Sequence, residues 1–262
     1  MMNALADTWY IVIRGLRSRI RMPVFIFMTL FQPILWLVLF TQIFSSLGGG
    51  GDSVYSVWGP GISYKEGFAP GVVVMTVLFG SAFSGFGLLM MMDMGILSKM
   101  LATPVTRVSI IMGQVIAAVV VSIIQAAIIF LIAAIMGVHV ATGVPGVLLA
   151  LFIVALLGLA FAAFSNGLAL LVKRQETVMA TTNLLTMPLM FMSSTMMPGG
   201  ALPGWLNTVR HFNPVDYAVV GVRGLVLEGY VWSDLWRSLL VLGALAVVAV
   251  VFATLMFRAQ AE

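Results

Sequence analysis

Six stretches of this chain contain no Asp, Glu, Lys, Arg or His: residues 23–44, 71–92, 108–137, 146–172, 177–197 and 239–257. The shortest has 19 residues and the longest 30. About 20 apolar residues in a helix cross the ~30 Å hydrocarbon layer of a bilayer. The pattern therefore predicts an all-α integral membrane protein with six transmembrane helices, organised as a single transmembrane domain over 1–262. The first run is too long for a secretory signal, whose apolar part has about 7–15 residues.

Composition narrows the function classes. Charged residues make up 8% of the 262 positions, against about 25% in soluble domains. The 13 Lys+Arg and 9 Asp+Glu cannot clothe a soluble fold of this length. An ordinary soluble enzyme, a disordered protein and a nucleic-acid binder are excluded. There is no cysteine, and His139 and His211 are the only histidines. No thiol nucleophile, disulfide or Cys-bound metal site is possible.

Residues 1–22 read as an amphipathic helix at the membrane surface. At roughly 100° per residue, Leu5, Trp9, Val12, Ile13, Leu16 and Ile20 share one arc, while Asp7, Arg14, Arg17 and Arg21 lie opposite. Such a helix rests in the headgroup layer with its arginines near anionic lipid. The alternative is a simple cytosolic extension of the first span. With both ends inside, Arg14, Arg17, Arg19, Arg21, Lys99, Arg107, Lys173, Arg174 and Arg258 are cytoplasmic, and Lys65, Arg210, Arg223 and Arg237 are outside. Nine basic residues against four obey the positive-inside rule. The expected location is the cell (inner or plasma) membrane, multi-pass, with cytoplasmic termini.

The segment 45–70 is rich in Gly and Ser and reads as an outer loop. The segment 198–238 reads as a re-entrant outer pair of short helices. Pro203 and Trp205 open the first of them. Asn213 caps the second, with Pro214 at its first position and Gly229 at its end. Asp216, Arg223 and Glu228 are the charges of that second helix. Asp216 and Arg223 share a face and are expected to find partners across a dimer or in lipid headgroups. A gate over the translocation path is one reading of this segment, and a plain connector is the other.

The spans carry no ionisable group, which argues against ion-coupled transport and against intramembrane proteolysis. Their polar residues include Gln114, Ser122 and Gln125 in the third run and Ser165 and Asn166 in the fourth. Together with Met187 and Met190 they either line a substrate path or, in the blander reading, bond and fill between helices. Gly80, Ser81, Ser84, Gly85 and Gly87 permit close helix contact, within a subunit or across a dimer. Pro188 should kink the fifth helix.

Residues 93–107 form a loop with a short amphipathic segment that ends before Thr103-Pro104. Ile96, Leu97, Met100 and Leu101 take helical spacing around Lys99. A protein partner or the lipid surface would receive that face. The loop resembles the signature of type-2 ATP-binding-cassette exporter permeases, Glu-x-Gly-x-Leu-Glu-x-Leu-Leu-Ala-Thr-Pro-x-x-Arg. Gly95, Leu97, Leu101, Ala102, Thr103, Pro104 and Arg107 match it, and Asp93 takes the first acidic place. Ser98 replaces the second Glu and Met100 a Leu. A second likeness runs from Met197-Pro198 through Pro203, Trp205, Asn213, Pro214 and Arg223-Gly224.

The resemblance implies a drug-efflux permease similar to the daunorubicin/doxorubicin exporters, with relatives that move polysaccharide or teichoic acid precursors. It implies that this chain is not itself an enzyme, and the phosphate loop G-x-x-x-x-G-K-[ST] is absent from it. ATP and magnesium would sit on a separate cytoplasmic ATPase, two copies of which join two permease subunits. Asp93, Gly95, Leu97, Lys99, Met100, Leu101, Thr103, Pro104 and Arg107 would form the coupling helix in the ATPase groove. A self-powered secondary transporter or channel is the rival from another class.

Overall fold

The structure is a computed structural model and describes residues 4–20, 23–47, 58, 61–101 and 106–259. Every regular element among the described residues is helical. In chain order these are α1 (Ala4–Ile20), α2 (Pro23–Leu47), α3 (Tyr64–Ala82), α4 (Ser84–Asp93), α5 (Ile96–Leu101), α6 (Arg107–Ile135), α7 (Gly143–Val172), α8 (Gln175–Phe191), α9 (Gly204–Arg210), α10 (Pro214–Leu227) and α11 (Trp232–Ala259). One 3-10 turn, Gly199–Ala201, precedes α9. Four helices are long and apolar enough to cross a membrane: Tyr64–Asp93, Val108–Ile135, Gly143–Val172 and Trp232–Phe257.

The long element Tyr64–Asp93 is central. Its residues Gly67 to Leu78 are all buried, as expected of a helix apolar on every side. Its start differs from the sequence expectation, which left 64–70 in a loop. Ser63 and Glu66 form a capping box: the Glu66 carboxylate accepts from the Ser63 amide at 2.9 Å and its hydroxyl at 2.7 Å. Satisfying the otherwise orphaned Ser63 amide starts the helix before the apolar run begins. The element breaks at Phe83 (φ −85°, ψ 7°), between α3 and α4.

That break falls between two apolar clusters. One gathers Phe68, Val72 and Leu78 with Ile129, Ile153, Leu157, Val219, Leu225 and Leu242. The other gathers Leu88 and Leu89 with Ile111, Val115, Ala118, Leu170, Ala246 and Ala253. Small residues let α11 close on α7: a Cβ on Gly167 would stand 2.6 Å from the Phe252 ring. The outer surface of the bundle is itself apolar, as Ile135, Leu184 and Val248 illustrate, which suits hydrocarbon.

The fifth apolar run is corrected. Expected over 177–197, it is helical only to Phe191, and Ser193, Ser194 and Thr195 lie in a turn. α8 has 17 residues, about 25 Å at 1.5 Å per residue. Pro188 withdraws one amide donor. The Ser193 hydroxyl then takes the Met190 carbonyl at 2.6 Å, and the helix stops.

α1 packs one side on the bundle and leaves Trp9 and Ile13 of its apolar arc outward. Its buried side carries Asp7, Ile11 and Val12, while Trp9, Tyr10, Ile13, Arg14 and Arg17 are exposed. The buried side lies about a third of a revolution from the centre of the apolar arc, because α1 packs on α6. A Cβ on Gly113 would lie 2.5 Å from Ile11, and one on Gly15 would lie 2.9 Å from Ala117. Those two glycines select the contact face.

Candidate functional site

Three polar assemblies stand out: one at each end of the bundle and one between the two apolar clusters. At the end holding the start of α3 and the end of α8, Asn213 closes two helices with one side chain. Its oxygen accepts from the Val215 amide at 2.9 Å, capping α10. Its amide nitrogen donates to the Leu189 carbonyl at 2.6 Å and the Met192 carbonyl at 3.0 Å, at the C-terminus of α8. Helix ends leave such groups without internal partners.

Asp216 follows one turn along α10. It accepts from the Ser194 amide at 2.7 Å and pairs with Arg210 at 3.3 Å. Arg223 donates to the Ser194 carbonyl at 2.8 Å and the Gly67 carbonyl at 3.1 Å. Its guanidinium carbon lies 4.2 Å from the centre of the Trp58 ring, a cation–π distance. A Cβ on Gly71 would stand 2.2 Å from the Thr195 carbonyl oxygen, so α3 and the turn after α8 meet backbone to backbone. Asp216 and Arg223 thus find their partners inside the chain, where the sequence had them looking to a dimer or to lipid. The bonds from Asp216 and Arg223 to the Ser194 backbone are tertiary and leave no mark in local sequence pattern. At the far end of α10 the Thr142 hydroxyl donates to Leu225 at 2.8 Å, and Gly229 takes φ +102°. Glu228, Pro203 and Trp205 are exposed, Pro203 serving as the N-cap residue of α9.

The middle assembly is a seam of hydroxyls and amides. Ser81 donates to Ser122 at 3.1 Å, and the Gly85 amide to the Ser165 hydroxyl at 3.0 Å. Asn166 donates to Ser84 at 3.0 Å and to the Ala162 carbonyl at 2.7 Å, while its own oxygen is buried without a partner. Gln125 donates to Thr29 at 2.7 Å, and Gln114 to the Met91 sulfur at 3.0 Å. The polar side chains considered for a substrate path are thus each bonded to a neighbouring helix. Met190 is buried and Met187 faces outward, so the set does not share one surface. The small residues Gly80, Ser81 and Gly85 serve contacts within the chain.

At the opposite end, α4 passes through Met94 and Gly95 (φ +66°) into α5. Leu97 is buried with Ile11 of α1 and Ile110 of α6. It roots α5 in its own chain, so the residue expected to enter a partner's groove is committed internally. Lys99 is exposed and Met100 half-buried. Asp93 accepts from the Gln175 side chain. Thr103, Pro104 and Arg21 lie outside the described residues, as do the side chains of Leu101 and Arg107.

Residues 6–227 match the ABC-2 type transporter family. The chain belongs to the ABC-2 type transporter family. Among curated relatives of this ABC-2 permease is a protein of Cyanophora paradoxa named as transport permease ycf38, 28% identical over 206 residues, 78% of this chain and 69% of the relative. The daunorubicin resistance ABC transporter permease DrrB1 of Streptomyces coeruleorubidus is 24% identical over 236 residues, 90% of this chain and 79% of its own. A doxorubicin resistance ABC transporter permease, DrrC, of Mycobacterium tuberculosis is 24% identical over 222 residues, 84% and 76%. Members of the ABC-2 family are membrane transport subunits rather than catalysts, and this one is a multi-pass membrane protein. The match takes in most of α1, α5 and the Asn213–Arg223 assembly of the ABC-2 chain, and it ends before α11.

Proposed function

We propose that this chain is the membrane subunit of an ATP-driven exporter, that a separate ATPase subunit powers it, and that its cargo is an amphipathic drug or lipid-like molecule. The observation that carries the reading is α5: a short helix between two membrane elements, anchored by Leu97 to α1 and α6, with Lys99 exposed. A push on such a helix moves three elements at once. Two copies of the chain, six crossings in each, cytoplasmic termini, and ATP with magnesium on two ATPase subunits complete the reading. The spans without ionisable groups support it, since energy supplied mechanically needs no intramembrane charge. The drug-resistance names of two relatives support the cargo class.

In this reading α9 and α10 gate the path, and the Arg223 assembly holds the gate against α3 and α8. The test is reconstitution of the permease with a stand-alone ATPase subunit that copurifies with it, in inside-out vesicles with a fluorescent anthracycline. ATP-dependent uptake is expected, accompanied by anthracycline-stimulated hydrolysis. Lys99→Glu should lower the stimulation several-fold, as interface rim charges do. Uptake driven by an ion gradient without the ATPase would overturn the reading in favour of a secondary transporter.

A further inference from the structure

Two acids are buried among the described residues, Asp7 on α1 at 4% exposure and Asp216 on α10 at 5%. Their surroundings differ. Asp216 accepts from the Ser194 amide and pairs with Arg210. Asp7 pairs with no cation among the described residues, and its Oδ2 is buried without a hydrogen-bond partner. A buried carboxylate left unpaired is costly.

The register of α1 on α6 shows how the acid comes to be buried. A Cβ on Gly113 would meet Ile11, and one on Gly15 would meet Ala117. The two contacts step by four residues on each helix, so α1 and α6 run parallel. Asp7, one turn before Ile11, therefore comes level with the first turn of α6. The partial positive charge of that helix end favours a carboxylate. Oδ2 gains no bond from it, and the amides of Ser109 and Ile110 are held by the side chain and the carbonyl of Thr106, at 3.4 and 3.3 Å. The apolar seat alongside is small. Ile11 is buried there with Leu97 of α5 and Ile110 of α6, and Met92 and Met100 are partly buried around them. The other side of α1, with Trp9, Tyr10, Arg14 and Arg17, is exposed.

We propose that Asp7 is a release device for α1: its carboxylate makes the seat on α5 and α6 metastable, so that a shift of α5 frees α1 and Asp7 reaches water. The seat holds because the α6 terminus and the Ile11–Leu97–Ile110 contact offset part of the cost of burying the charge. It opens readily because they offset only part. Leu97 belongs to the same seat, so movement of α5 withdraws apolar contact from Ile11 directly. Once free, α1 keeps its exposed aromatic and basic side for the membrane surface. The inference rests on the exporter reading above for what moves α5.

The experiment compares wild type with Asp7→Leu and Asp7→Asn in the full-length permease. Leu removes the charge and supplies an apolar group, and Asn removes the charge while keeping the shape. Thermal midpoint in detergent, hydrogen exchange along α1 and ATP-driven anthracycline uptake with the copurifying ATPase are measured for each. Removal of an uncompensated buried charge should raise the midpoint by a few degrees. Exchange along α1 should slow several-fold with α7 and α11 unchanged, because a firmly seated helix opens less often. Uptake should fall several-fold although the protein is more stable. If both variants lower the midpoint and speed exchange, Asp7 is an anchor and the proposal is overturned. If Leu alone does so, its bulk does not fit, and the Asn variant decides on the same expectations. If the variants are stabilised and uptake stays at the wild-type rate, transport does not need α1 to leave its seat, and the release is overturned while the exporter reading stands. If wild type shows no ATP-driven uptake, the exporter reading falls; slower exchange in the variants then upholds the metastable seat, and unchanged or faster exchange overturns it.

Discussion

Asn213 shows how one amide can decide where two helices meet. Asn213→Ala removes the α10 cap, worth about 1 kcal/mol, and strands the carbonyls of Leu189 and Met192, at about 1–3 kcal/mol for a buried group left unsatisfied. Thermal unfolding in detergent should show a clear fall in midpoint. Asn213→Asp keeps an oxygen for the Val215 amide but loses both donations to α8, so its midpoint should lie near that of Asn213→Ala if the α8 carbonyls dominate. Arg223 makes a different demand. Its planar fork reaches the Ser194 and Gly67 carbonyls while facing Trp58, and Lys offers one point charge in place of that fork. Arg223→Lys should therefore resemble Arg223→Ala in changing export or basal hydrolysis at normal expression. Full activity in both variants would show that the assembly does not act as a gate.

Among the elements, helices were legible, and the ends of α3 and α8 were less so than the cap of α10. Charge-free length sufficed to find α6, α7 and α11, because a membrane-crossing helix is defined by what it lacks. The start of α3 carried a readable signal, Ser63-x-x-Glu66, obscured by the Gly-rich stretch before it. Glu66→Ala should cost about 1 kcal/mol and speed hydrogen exchange several-fold at the Ser63 amide, which loses its acceptor, without disturbing the rest of α3. The end of α8 carried a partial local signal in Pro188 and Ser193, while Asn213, which takes the Leu189 and Met192 carbonyls, stands more than twenty positions onward. The side of α1 that meets α6 had no reading in the sequence. The apolar arc with Trp9 marked the side toward lipid, whereas Gly15 and Gly113 admit close contact with the bundle on another side. At the candidate site, the loop spacing and the Asn213-Pro214 cap were readable, but the internal partners of Asp216 and Arg223 depend on tertiary folding.

For the molecule as a whole, the testable expectation is its placement across the bilayer. The chain has no cysteine, so single cysteines report cleanly. Those introduced at Ser53 and Asn207 should react with an impermeant thiol reagent in intact cells, and those at Ser98 and Gln175 should not. The reverse pattern would overturn the assigned orientation, and a mixed one the number of crossings. The two apolar clusters and the seam between them have a consequence for how the molecule yields under load. Each cluster is close-packed and stiff, whereas the seam contains exchangeable hydroxyl partners and an unsatisfied oxygen on Asn166, the kind of group that holds a buried water. Compression favours the smaller volume reached when water fills such a place. Under hydrostatic pressure the molecule should therefore soften at its waist first, with methyl signals around Ser81 and Asn166 shifting before those of either cluster, like a two-storey frame sliding at the floor between its levels.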